Sequence, residues 1–85
     1  MKYRIETRKT LITDNNRKFV IGEDIAFKVY NVRTGRCDEY IGVISKIGKR
    51  SIVISHMEIN NIRVDGYRKI YLKNIMKDSC NYVEV

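Results

Sequence analysis

The sequence predicts an all-β fold: a small, partly open barrel of five to six strands with at most one short helical turn. Three observations carry that expectation. No stretch repeats its apolar residues at helical spacing. Short runs rich in isoleucine, valine and tyrosine alternate with polar residues, as strands with one face on a core do. Turn signals made of glycine, asparagine and aspartate separate the runs. The 85 residues have the length of one small domain, residues 1–85, and 44% hydrophobic content supplies one modest core. Curling a single sheet would hide most of its edges.

The central element is a hairpin over residues 40–55. Ile41, Val43, Ile44 and Ile47 form its first apolar run and Ile52, Val53 and Ile54 its second. β-Branched side chains are stiff at χ1 and suit a pleated surface. Gly48-Lys49-Arg50-Ser51 reads as the connection, with the glycine supplying an unusual φ. Before it, Lys2 to Ile12 reads as an edge strand with Tyr3, Ile5, Thr7, Lys9 and Leu11 on one side and Arg4, Glu6 and Arg8 on the other. Thr13 to Lys18 is turn chemistry. Phe19-Val20-Ile21 leads into a half-buried strand in which Ile25, Phe27 and Val29 point one way. Asn31 to Asp38 reads as a polar loop holding Arg33 and Arg36.

Beyond Ser55, residues 56–64 are less regular but suit an extended chain. Asp65-Gly66 has the composition of a two-residue type I′ turn. In that register Val64 faces Tyr67, Arg63 faces Arg68, and Ile62 faces Lys69. Ile70 and Leu72 fall on the face opposite Tyr67 and Tyr71. Residues 71–77 suit a single helical turn, and Asn81 to Val85 a last short strand.

The formal charge is +7, from 17 Lys and Arg against 10 Asp and Glu. So large an excess on so small a body favours polyanionic partners, nucleic acid foremost; anionic lipid comes second, and a charge that serves only solubility is the alternative. Residues 1–13 lack the continuous apolar stretch of a signal peptide or a membrane span. Cys37 and Cys80 are too few and too far apart for a disulfide framework or zinc knuckle, and reduced thiols in a cytoplasmic protein are the simplest reading. No phosphate loop, dinucleotide fingerprint, zinc spacing or nucleophile elbow occurs, so the expectation is no cofactor, no metal and no catalysis. His56 is the only histidine. Its nearest carboxylates in sequence or in reach are Glu58 and the remoter Asp38 and Glu39, which make no catalytic constellation.

The order of glycines and β-branched residues resembles the small SH3-like barrels, including the KOW-type modules of ribosomal and transcription-elongation proteins. Gly22-Glu23-Asp24-Ile25 is similar to their strand entry, and Gly42-Val43-Ile44 to their second glycine and strand. The resemblance covers about residues 20–56. It departs in the connection, where Asn31 to Tyr40 replaces a glycine-lysine-glycine turn. The resemblance implies an SH3-like barrel that binds RNA, nucleoprotein or protein through its loops, without catalysis.

The expected function is therefore a non-catalytic RNA- or DNA-binding module. Arg33, Arg36, Lys46, Lys49, Arg50, Arg63, Arg68 and Lys69 are the expected phosphate contacts, and Tyr40 and Tyr67 the expected base-stacking rings, with Tyr30 and Tyr71 interleaved among the charges. The competing readings are a protein adaptor or homo-oligomer that uses an exposed strand edge, and a small toxin-type ribonuclease. The composition suits a bacterial or mobile-element accessory protein.

Overall fold

The computed structural model describes residues 9–83. In chain order these form β1 (Thr10–Ile12), β2 (Lys18–Val20), β3 (Asp24–Asn31), β4 (Arg36–Ile47), β5 (Ser51–Ile59), β6 (Ile62–Val64), β7 (Arg68–Tyr71), a 3-10 turn (Leu72–Asn74) and β8 (Asn81–Tyr82). The fold is all-β with one short helical turn, as the sequence predicts. It has more strands than the five or six expected because several short segments pair separately. The strands make a two-stranded sheet, β1-β2, and a six-stranded sheet ordered β6-β5-β4-β3-β8, with β7 also on β5. Among the described residues the larger sheet is not closed into a barrel. The expected edge strand survives here only as β1; its earlier part, residues 2–8, lies outside the described residues, as do residues 84 and 85 of the expected last strand.

The sheet is built on β3, β4 and β5. β3 and β4 pair without interruption from Asp24↔Val43 to Asn31↔Arg36. The segment Asn31 to Tyr40 is therefore not a long loop but a tight turn at residues 32–35 between long paired strands. The two glycine-bearing stretches of the resemblance meet directly: Gly22 N donates to Ile44 O at 2.8 Å, and Ile44 N to Glu23 O at 2.9 Å.

Between β4 and β5 the register shifts twice, once between Ile41 and Val43 and once between Ile44 and Lys46. Each shift changes which residues face the core. On β4 the buried residues run Tyr40, Gly42 and Ile44, then skip to Ile47. On β5 they run Ile52 and Ile54, then Ser55 and Met57. Strict alternation would have turned one end of this hairpin inside out. At the first shift His56 and Met57 of β5 oppose Gly42 alone, and His56 takes φ +47°. A Cβ on Gly42 would lie 3.2 Å from Ser55 O and 3.3 Å from Ile54 Cβ. The glycine lets the two backbones close on the bulge. Gly48 is different from the expectation: it is not among the glycines with positive φ. Its N–H simply donates to Ser51 O at 2.8 Å to close the turn.

The far side of β5 carries β6 and β7 end to end. Met57 to Ile59 pair with β6, and Ser51 to Ile54 with β7. This overturns the Asp65-Gly66 hairpin and its pairs Val64–Tyr67, Arg63–Arg68 and Ile62–Lys69. The reversal occurs instead at Asn60-Asn61, where both residues adopt positive φ, +52° and +65°. Asparagine tolerates that region, as a type I′ turn requires. Once β6 and β7 both run antiparallel to β5 they run in the same direction and cannot form a hairpin with one another. Residues 65–67 bow outward between them, with Gly66 at φ +92°.

One face of the large sheet forms the core, with Phe19, Ile25, Ile44, Ile52 and Ile54 fully buried. The β1-β2 hairpin covers that face through Leu11 and Phe19. The C-terminal segment fastens the hairpin down. Asn15 Nδ2 donates to Cys80 O at 2.9 Å, Tyr82 Oη donates to Lys18 O at 2.6 Å, and the Phe19 and Tyr82 rings lie 4.6 Å apart. The other side of β3 is held by the same segment, with Met76 N donating to Lys28 O at 2.8 Å. Burial, reinforced by the Asp14 carboxylate, pushes the Cys80 thiol up to about 11.

The bulge makes a paired prediction. Gly42→Ala is expected to lower unfolding free energy by about 1–3 kcal/mol through overpacking. His56→Gly removes a left-handed strain of roughly 1–2 kcal/mol against about 0.5–1 kcal/mol of added chain entropy, so it should leave stability unchanged or raised. Urea titration of both variants checks the pair. The two cysteines, both free, should also separate. Exposed Cys37 should react with a thiol reagent in the native state and buried Cys80 only on unfolding. A raised thiol pKa favours the fold while the thiol is protonated. The Cys80 contribution is therefore expected to hold below about pH 9 and fade as pH rises towards 11, and Cys80→Ala should lose less stability over that window.

Candidate nucleic-acid interface

Residues directly opposite one another on paired strands point to the same side of a sheet. One row, Lys46↔Val53↔Lys69, crosses β4, β5 and β7, and the next aligned pair on β5 and β7 is Ser51↔Tyr71. These lie on the side away from the core, since the intervening row Ile47↔Ile52↔Ile70 is buried. Lys46, Lys69 and Tyr71 thereby share the outer face at one end of the sheet. Lys69 Nζ sits 5.2 Å from the centroid of the Tyr71 ring.

The β4-β5 turn joins this group. Leu72 N donates to Arg50 O at 2.9 Å, which draws the 3-10 turn and Lys73 beside Lys49 and Arg50. Lys49, Arg50, Tyr71, Leu72 and Lys73 line a common hollow. Lys46, Lys49, Arg50, Lys69 and Lys73 are all exposed. Among the described residues the one ion pair is Lys28–Glu39 at 3.8 Å, so no described carboxylate neutralises any of these five.

The remaining expected site residues lie elsewhere. Arg33 lies in the β3-β4 turn and Arg36 directly after it, at the opposite end of β4, whose 12 residues span up to about 40 Å. The two sets of basic turns therefore do not share a rim. Beside Arg33 and Arg36, Asp38 accepts from Asn60 Nδ2 and from Asn31 Nδ2, each at 3.0 Å. These bonds, Asn60 first, hold its carboxyl below the usual range, with a smaller contribution from the Arg68 charge. They tie the β5-β6 turn to the β3-β4 hairpin, so the polar side chains here have a structural task.

Tyr40 is corrected from a base-stacking ring to a core residue. It is 7% exposed and stacks on Phe27 with centroids 5.3 Å apart. Arg68 lies in the core-side row Ile44↔Ile54↔Arg68, and its Nη1 donates to Tyr40 Oη at 3.3 Å. It caps the core edge. Tyr67 is 77% exposed and stands in the bowed segment near Arg63, which faces Glu58 on β5. Tyr71 and Lys73 were not among the expected contacts. Alternation along β7 places Lys69 and Tyr71 on one side of the strand, whereas Lys73 is brought beside them by the 3-10 turn, a placement that no local pattern shows.

Among the described residues no three His, Cys, Asp or Glu side chains converge as a metal site would need, and no described helix is long and apolar enough to cross a membrane. Comparison with protein-family models, with curated proteins and with solved structures finds no match to this chain.

Proposed function

We propose that the protein is a non-catalytic nucleic-acid-binding module that takes single-stranded RNA or DNA across the β4-β5 turn and along β7. The observation that supports this reading is the gathering of Lys46, Lys49, Arg50, Lys69 and Lys73 around the half-exposed Tyr71, with no described carboxylate among them. Unneutralised cations in a group gain most from a chain of phosphates, which releases its counterions on contact. The exposed rings of Tyr71 and Tyr67 offer surfaces on which unpaired bases can stack. The free thiols of Cys37 and Cys80 suit a reducing, cytoplasmic setting. The resemblance of residues 20–56 to KOW-type modules points to the same class of partner.

A second reading, a protein adaptor, draws on the outer edge of β6, where Ile62 is 68% exposed. Salt separates the two, because adaptor binding through backbone pairing survives moderate salt whereas phosphate contacts do not.

Fluorescence anisotropy with a labelled single-stranded oligonucleotide tests the proposal. Contacts from all five cations predict a log–log salt slope of roughly −3 to −4. Lys49→Glu with Arg50→Glu should weaken binding for every sequence and flatten that slope by at least about 1.4. Arg33→Glu with Arg36→Glu, at the far end, should change affinity much less. Equal losses from the two double variants would place binding elsewhere.

A further inference from the structure

The bow between β6 and β7 borders a second, half-open hollow, separate from the basic end and on the same edge of the sheet. His56, Arg63, Asp65, Gly66 and Tyr67 line it. Its volume is about 210 Å³, below the roughly 300–1,000 Å³ that encloses a drug-sized ligand. It suits one ring system. Both walls are irregular in backbone. His56 holds φ +47° in the β5 bulge and Gly66 holds φ +92° opposite it.

The side chains form a mixed set. Arg63 supplies a planar fork of donors and Asp65 a pair of acceptor oxygens, and no ion pair joins them. Tyr67 and His56 add two aromatic rings. A phosphate would be met by Arg63 but repelled by Asp65. An unpaired guanine satisfies both. Its O6 and N7 accept from an arginine fork, while its N1–H and exocyclic amine present two parallel donors to a carboxylate. No other common base offers two adjacent acceptors and two adjacent donors. We propose that this hollow is a base-selective subsite that takes one guanine of a bound single strand, with Tyr67 stacking on the ring, Arg63 meeting O6 and N7, and Asp65 accepting from N1–H and the amine. The inference rests on the single-strand reading, in which the chain follows β7 towards β6.

The test compares anisotropy titrations of an all-uridine oligonucleotide, the same oligonucleotide with one guanosine, and the same with inosine, which lacks the exocyclic amine. The guanosine strand is expected to bind about tenfold more tightly than the uridine strand, with inosine between them. Asp65→Asn should remove that preference while leaving the salt slope and the affinity for the uridine strand as they were, whereas Tyr67→Ala should remove the preference and also weaken binding of the uridine strand, since its ring can stack on any unpaired base. Equal binding of all three strands, or a preference that survives Asp65→Asn, would overturn the subsite while leaving the phosphate-contact reading standing. Failure of every strand to bind at low salt would instead remove the single-strand reading. In that case chemical-shift changes at His56 and Tyr67 on adding guanosine monophosphate alone decide the subsite, and their absence overturns it as well.

Discussion

The fold depends on how β4 and β5 stay paired while each changes the face it buries. A long hairpin with strict alternation would present Ile44 and Ile47 to opposite sides, and one of the two would be stranded in water. The bulges solve that problem locally. One extra residue at Ser45 shifts β4, and one at His56-Met57 shifts β5, so Tyr40, Ile44 and Ile47 all meet Ile52, Ile54 and Met57 across one core. Gly42 favours the shift on β5, since a Cβ there would crowd the opposing backbone at 3.2 Å from Ser55 O. The strain at His56 is the local cost of a continuous apolar face.

The same irregularity shapes the exposed side. With its edge interrupted at His56, β5 cannot accept one unbroken partner strand. β6 and β7 pair on either side of the bulge, and residues 65–67 bow out where pairing lapses. Beyond the bow β7 recovers a regular register, and Lys69 and Tyr71 fall on the outer face beside Lys46. The backbone bond from Leu72 to Arg50 then folds Lys73 onto the β4-β5 turn. A core requirement thus sets the place of both exposed features, the basic end and the hollow beside Tyr67.

The sequence made the class of fold legible, together with the β3 strand, the central hairpin and the short helical turn, because each rests on local pattern. Ile25, Phe27 and Val29 do point inward from β3, and Leu72 to Asn74 do form the turn. What was not legible depends on long-range pairing. Asp65-Gly66 has better hairpin composition than Asn60-Asn61, yet the competition was decided by which segment β5 could accept along its free edge. Tyr40 shows the same limit. Alternation puts it on a face, but only the stacking of Phe27 and the approach of Arg68 show that the face is the core. The candidate interface was half legible: Lys46, Lys49, Arg50 and Lys69 were identifiable as cations in turns and strands, whereas their separation from Arg33 and Arg36 follows from the length of β4.

The central claim is that one end of the sheet binds nucleic acid and the other does not. Mapping amide chemical-shift changes while titrating a short single-stranded oligonucleotide into the labelled protein addresses it most directly. The account predicts the largest changes at Lys46, Lys49, Arg50, Lys69, Tyr71 and Lys73, and little change at Arg33 and Arg36. Changes centred on the β3-β4 turn, or spread evenly over all the basic residues, would contradict it.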